Sequence, residues 1–336
     1  MTEERERILC VAETQDEGWE WFAQDFPEYE WRFIRLYSKT FLEKMIQVPN
    51  LARLKGALKA ARLAKDASLI FTHHPHVTFW CANLMSRARR PPHVAWSFNF
   101  PELPRGPKRT AMSRAFQKVD RFVVYSTMER DLYVRELGIP RDKIEVILWG
   151  VSPPEPSPGH PIVRGDYVCA IGGNRRDYET LIHAAEMTPG IKFELVVRPR
   201  NLKGLALPPN VDVRVNLSHR EAMNILKFSK FMVLPLDDSD VPTGHVTLVA
   251  AQHLGKAFVI TDSAGVRDYI LPGTNALTCP PSDPKALAER IEVLWQDEEL
   301  REKLGRGGKE FASKYLSEEH VKDCLRSLME DLLRKR

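Results

Sequence analysis

The chain has 336 residues, more than one typical core accommodates and about right for two α/β domains. Hydrophobic residues make up 43% and charged residues 28%, which excludes a disordered or fibrous chain. The formal charge is only +4, no apolar run is long enough to span a bilayer, and the charged start MTEERERILC does not read as a secretory leader.

In chain order, short apolar runs alternate with helical patterns. Strands are expected at Ile8–Ala12, Trp31–Leu36, Ser68–Thr72, His93–Ser97, Arg121–Ser126 and Ile144–Leu148, with helices such as Val77–Arg87 and Thr127–Leu137 between them. This alternation predicts a parallel, doubly wound sheet. Val151–Gly165 (VSPPEPSPGHPIVRG) is too rich in proline to sustain a helix or a central strand and reads as a linker. The alternation then restarts. Strands are expected at Tyr167–Ile171, Lys192–Val197, Val211–Val215, Phe231–Leu236 and Ala257–Thr261, and helices at Asp177–Glu186, Ser218–Phe228, His245–Leu254 and Pro284–Trp295. Ser218 with Glu221 forms a capping box, and Asp283 before Pro284 marks another helix start. From Glu298 to Arg336 the pattern is helical throughout. The expected organisation is residues 1–152, a linker at 153–160, a second domain at 161–317 and a last helix at 318–336 that packs back on the first domain.

The cysteines (Cys10, Cys81, Cys169, Cys279, Cys324) are scattered and form no C-x-x-C pair, so they read as reduced thiols in a cytoplasmic protein. Basic residues gather in the first half: Arg53, Lys55, Lys59, Arg62 and Lys65, then Arg87, Arg89 and Arg90, then Arg105, Lys108, Arg109, Arg114 and Lys118. Such a face suits an anionic membrane surface, which would make the protein peripheral, or is simply solvated. Nucleic acid is not expected, because no helix-turn-helix, zinc-finger or RNP-type signature accompanies the charge.

In open parallel sheets ligands bind beyond the carboxyl ends of the strands, so the strand-to-helix loops hold the candidate chemistry. Gly172-Gly173-Asn174-Arg175-Arg176 follows a strand and opens a helix. Glycines let amides approach a ligand, a helix start favours an anion, and Arg175 and Arg176 make a diphosphate clamp. The loop is neither a P-loop nor a G-x-G-x-x-G fingerprint. The segment from Asp237 to His245 (DDSDVPTGH) again follows a buried strand. Thr243 or Gly244 caps the following helix, and the acids Asp237, Asp238 and Asp240 bind hydroxyls, perform acid/base work or act as turn residues. His73, His74 and His76 stand where a strand ends; one serves as base or substrate contact, and at least one caps a helix or is buried. No metal is expected, since no partner ligands stand at suitable spacing.

At this point the second half resembles a known family. The stretches FVVYSTMERDLYVRELGIPRDKIEVILWGV, YVCAIGGNRRDYETLIHAAE, VLPLDDSDVPTGHVTLVAAQHLGKAFVITDSAGVRDYI and NALTCPPSDPKALAERIEVLWQDEELREKLGRGG resemble, in order and spacing, the large retaining, sucrose-synthase-like family of glycosyltransferases. The resemblance covers about Arg121 to Lys314. It implies the GT-B fold, two Rossmann-like domains facing each other across a cleft. It also implies transfer of a hexose from a nucleotide sugar to a hydroxyl of a glycan, lipid-linked or small-molecule acceptor, without a cofactor or metal and with a UDP-sugar expected over a GDP-sugar. Arg176 falls where the family places a phosphate-binding Lys. The Gly172 and Gly173 amides would help it, Gly244, His245 and Asp240 would hold the donor sugar, and His73, His74 or Asn99 would meet the acceptor. The chain departs from the pattern at two places. The family's paired glutamates fall on Pro242 and Ala250, or on Val241 and Val249 in the other register, so Asp240 or Asp238 stands in for the first and Thr247 for the ribose contact. The histidine usual after the fourth strand is replaced by Ser97 and Asn99. A sugar-nucleotide epimerase of the same fold and a non-catalytic binding module are the alternatives.

Overall fold

A computed structural model describes residues 5–13, 21–36, 49–85, 90–157, 159, 161–237 and 242–334. The chain forms two compact units. One comprises Met1–Ile147 with Lys322–Arg336, the other Leu148–Val321.

In the first unit, β1 (Arg7–Ala12), α1 (Trp21–Asp25), β2 (Glu30–Arg35), α2 (Pro49–Leu63), β3 (Leu69–His73), α3 (Pro75–Leu84), β4 (His93–Trp96), α4 (Gly106–Phe116), β5 (Arg121–Val124), α5 (Thr127–Leu137) and β6 (Ile144–Val146) follow one another. The strands make one parallel sheet in the order β2-β1-β3-β4-β5-β6. Ile8, Leu9, Cys10, Val11 and Ala12 are all buried, as a strand covered on both faces requires. A cluster of edge-to-face rings, Phe98 with Phe116, Phe122 and Tyr133, fills the space under α4 and α5. Ser126 caps α5 through the Glu129 amide. The Glu129 carboxyl lies buried, taking hydrogen bonds from the Tyr125 amide at 2.9 Å and the Ser126 hydroxyl at 3.3 Å. Burial pushes that carboxyl up to about 7, against the opposing pull of its donors.

The second unit runs β7 (Val168–Ile171), α6 (Tyr178–Met187), β8 (Phe193–Val197), β9 (Val211–Val215), α7 (His219–Phe228), β10 (Phe231–Leu234), α8 (His245–His253), β11 (Phe258–Thr261), β12 (Leu277–Cys279), α9 (Pro284–Gln296) and α10 (Glu298–Tyr315). Its parallel sheet has the order β12-β11-β10-β7-β8-β9. The capping box at Ser218 and the Asp283 cap before Pro284 form as the sequence indicates. Leu148, Trp149 and Val151, which end the first alternation in the sequence, pack on the core of this second unit. The Trp149 amide donates to the Tyr269 hydroxyl and the Val151 amide to the Leu316 carbonyl.

The helical pattern at the C-terminus resolves into separate helices. The run from Glu298 is two helices, α10 and α11 (Glu318–Arg334), broken at Leu316 and Ser317. The Leu316 carbonyl is drawn out by the Val151 amide and His253 Nε2, and Ser317 restarts the helix by capping the His320 amide. The far part of α11 belongs to the first unit, where Arg326 pairs with Glu28 and lies over the Phe26 ring, and Lys322 pairs with Asp25. The structure also adds α4 and β12, neither of which the pattern marked.

Candidate functional site

The glycine loop leaves the carboxyl end of β7, in the middle of the second unit's sheet. It is pinned to the segment that leaves β10. Arg176 bridges Leu236, the Asp177 amide donates to the Pro235 carbonyl, and the Asp237 amide to the Arg175 carbonyl. The glycine loop is therefore held against Asp237, the first residue of the second candidate loop. Asp237 stands 3.6 Å from the Arg175 guanidinium. Asp238 and Asp240, with Val241, lie outside the described residues.

Arg176 turns inward. One terminal nitrogen donates to the Asn174 carbonyl at 2.8 Å, while its Nε is shielded from solvent and has no partner. Burial depresses its basicity, with Tyr178 and Asp237 pulling the other way. Gly172 has φ +128°, and a Cβ there would stand 2.6 Å from the Arg176 guanidinium, so this glycine exists to make room for the arginine. The Gly172 amide is not available to a ligand, contrary to expectation: it donates to the Val196 carbonyl at 3.0 Å and continues the sheet ladder. Its carbonyl accepts from the Tyr178 hydroxyl.

Gly244, with φ +98°, is the N-cap of α8 and supplies no side-chain oxygen to its first turn, so that turn lacks a side-chain cap. Thr243 precedes it and is half-buried. His245 opens the helix, with its ring 4.6 Å from that of Tyr269 and Nε2 3.0 Å from the Gly265 carbonyl. A carbonyl can only accept, so Nε2 carries the proton and Nδ1 a lone pair. Burial pushes the ring down to about 4, which keeps it neutral at pH 7. Thr247 does not present itself to a ribose: it is buried, and its hydroxyl donates to the Ile171 carbonyl at 3.4 Å.

In the first unit, His73 ends β3 and is pushed by burial down to about 4. His74 sits at φ +84° as the N-cap of α3, its Nδ1 accepting from the His76 amide, so the expected capping histidine is this one. Its surroundings include Glu13 and Arg53, which form a two-point ion pair at 2.8 and 2.9 Å. Asn99 is exposed beyond β4, between the buried Phe98 and Phe100. Ser97 bonds the Tyr125 hydroxyl.

Among known families, Glycosyltransferase Family 4 matches residues 22–154, and Glycosyl transferases group 1 matches residues 197–311. The chain belongs to the glycosyltransferase 4-like family. An uncharacterised glycosyltransferase of Methanocaldococcus jannaschii is 30% identical over 121 residues, 33% of this chain and 34% of that protein, so the match spans about a third of the relative's length. Among solved structures, a glycosyltransferase of Rickettsia africae superposes with a TM-score of 0.75 at 13% identity, over 99% of this chain and 100% of that one. Sucrose-phosphate synthase of Thermosynechococcus elongatus gives 0.74 at 16%, over 99% and 100%. HepE of Anabaena, solved with UDP, gives 0.76 at 15%, over 97% and 100%. At these identities the likeness shows the fold, two Rossmann-like domains of GT-B type.

Sequence reasoning missed two neighbours of the glycine loop in this glycosyltransferase-like chain, Arg198 and Asn201. They follow β8, which pairs with β7 in the register Ile171 to Val196. Only that pairing brings them beside Gly173, and no motif announces it. A cavity of about 300 Å³ beyond β11, lined by Ile260, Ser263, Val266 and Thr278 among others, includes none of the expected residues. Among the described residues no group of three His, Cys, Asp or Glu is placed to hold a metal ion.

Proposed function

We propose that this protein transfers a sugar from a nucleoside diphosphate sugar to a hydroxyl of a glycan, lipid-linked or small-molecule acceptor. The observation that carries the reading is Arg176, a guanidinium folded into the carboxyl end of a parallel sheet with one nitrogen shielded and unpartnered. A half-buried cation with a shielded, unpartnered nitrogen is complementary to an anion delivered by a ligand. In transfer, an acceptor oxygen bonds the anomeric carbon as the bond to the diphosphate oxygen breaks, and the acceptor's hydroxyl proton passes to the departing diphosphate. The negative charge gathering on that diphosphate meets Arg176, with Arg175 outside it and the uncapped first turn of α8 beside it. On this reading Gly173, Thr243, Gly244 and His245 border the donor, with His245 Nδ1 offering a lone pair to a sugar hydroxyl. Asp240 supports the anomeric carbon as it gains positive charge. His73, His74 and Asn99 are the residues we assign to the acceptor. HepE is solved with UDP and with UDP-glucose, which supports a UDP-hexose donor, and we assign retention of configuration from the family pattern.

Titration with UDP, GDP, ADP and CMP tests the reading. The matching nucleotide at ~100 times its dissociation constant stabilises the fold by about 2.7 kcal/mol in thermal unfolding. A flat response to all of them removes the donor site. With the matching donor, Asp240→Asn is expected to lower turnover more than affinity, with Asp238→Asn as the control. Consumption of donor without acceptor would move the reading to an epimerase.

We also propose that the first unit rests on an anionic membrane surface. Residues 49–119 hold thirteen Lys or Arg against two acids, Asp66 and Glu102. The apolar side of α2 is spent on the sheet through Ala57 and Ala60, and its outward residues are Lys55, Leu58, Lys59 and Arg62. Arg105, Lys108, Arg109 and Arg114 are exposed on and before α4, in the same helix layer. No helix among the described residues is long and apolar enough to cross a membrane. The exposed Lys and Arg residues make the attraction on this reading electrostatic. Cosedimentation with phosphatidylglycerol vesicles is expected at low salt and lost at high salt, with phosphatidylcholine vesicles inert. Failure to bind at low salt leaves a solvated face.

A further inference from the structure

Gly172 and Gly173 each lie against a guanidinium. Arg176 occupies the space beside Gly172, as described above. Arg198, which follows the last residue of β8, lays its aliphatic stem across Gly173: a Cβ at that glycine would stand 3.0 Å from both Cγ and Cδ of the arginine. The head of Arg198 is exposed and donates to the Asn174 side-chain oxygen at 3.1 Å, a residue of the same loop. Asn201, one short turn further on, donates its amide to the Gly173 carbonyl at 2.8 Å. That bond fixes the orientation of the Asn201 side chain and leaves its Oδ1 shielded and without a partner. An unbraced surface arginine samples many rotamers. This one is laid on a residue that has no side chain and is held by its neighbour, which lowers the entropy lost when it grips a ligand.

We propose that Arg198 is a second diphosphate-binding residue, acting with Arg176 across the paired glycines, that Asn174 positions it and that Asn201 holds the glycine it lies on. The inference rests on the donor reading above and adds to it the division of labour between two cations. A diphosphate ester carries two charged phosphoryl groups, and guanidinium forks match phosphate oxygens in geometry as well as charge. Arg176 is half-buried with its Nε shielded, whereas Arg198 is exposed and reaches the loop from the neighbouring strand. The outer arginine is therefore pre-positioned on the solvent side of the loop to meet a diphosphate as it arrives.

Calorimetry with UDP, uridine and inorganic pyrophosphate tests this on the full chain, using wild type, Arg198→Ala, Arg198→Lys and Asn174→Ala. Arg198→Ala is expected to weaken UDP and pyrophosphate about tenfold and to leave uridine affinity and the melting temperature unchanged. Arg198→Lys should recover part of the loss, and Asn174→Ala should lose less than Arg198→Ala, since it removes only the brace. Unchanged UDP affinity in Arg198→Ala overturns the proposal, as does an equal loss for uridine and UDP, which would make Arg198 a structural support of the loop. If wild type binds no nucleoside diphosphate, the donor reading fails by itself, and the pyrophosphate comparison still decides Arg198.

Discussion

Arg176→Ala is expected to lower affinity for the matching nucleoside diphosphate by roughly ten- to a hundredfold while the second unit stays folded. A charge-assisted hydrogen bond is worth about 1.5–3 kcal/mol, which sets that range. The stability side of the argument runs opposite to most buried-residue truncations. Arg176 is half-buried, its shielded Nε makes no bond, and one oxygen of the nearby Asp237 carboxylate is also without a partner. A partly desolvated charge without full compensation costs folding energy, so removing it leaves the unliganded melting temperature unchanged or higher. The two readouts move apart: calorimetric affinity falls while the unliganded transition holds. Unchanged affinity would take Arg176 out of the site, and a collapse of the melting temperature would make it structural.

The second large effect concerns the glycines of α10. Gly305 faces the tight turn at Gly255, and a Cβ on it would stand 2.2 Å from the Gly255 carbonyl oxygen, a backbone atom with nowhere to go. At Gly308 the nearest atom would be the Gln252 Cα at 3.5 Å, an ordinary contact. Replacing glycine by alanine inside a helix is intrinsically favourable by up to about 1 kcal/mol. Gly308→Ala is expected to collect that gain. In Gly305→Ala it is outweighed by displacement of the helix, a cost of about 1–3 kcal/mol or more. The pair of variants in one denaturant titration checks this. Equal midpoints would mean that α10 shifts without resistance.

The legibility of the fold followed how much of each element's determinants is local. Ser218 with Glu221 and Asp283 before Pro284 announce helix starts because a cap needs only residues a few positions apart. The strands FMVL and FVIT announce themselves because both faces are covered. Helix α4 was missed because Arg105, its N-cap residue, makes no side-chain cap bond and its first turn carries no acid. β12 is three residues long and half-buried, too short for any period. In the site, the Gly-Gly-Asn-Arg-Arg loop was legible as a loop, but not the split within it. Gly172 seemed a ligand contact from sequence, whereas its amide continues the ladder and its missing side chain shelters Arg176. Arg198 was invisible because its place depends on strand pairing across 25 residues of chain.

Glu129 has a consequence for the first unit as a whole. Between the ordinary carboxyl value of 4.5 and about 7, the folded chain holds a proton there that the unfolded chain has released. What this group contributes to stability is complete below 4.5 and is lost as the pH climbs through about 7. Folding of the N-terminal Rossmann unit is thus coupled to proton uptake near neutrality, and a buffer's pH acts on it as a ligand concentration would.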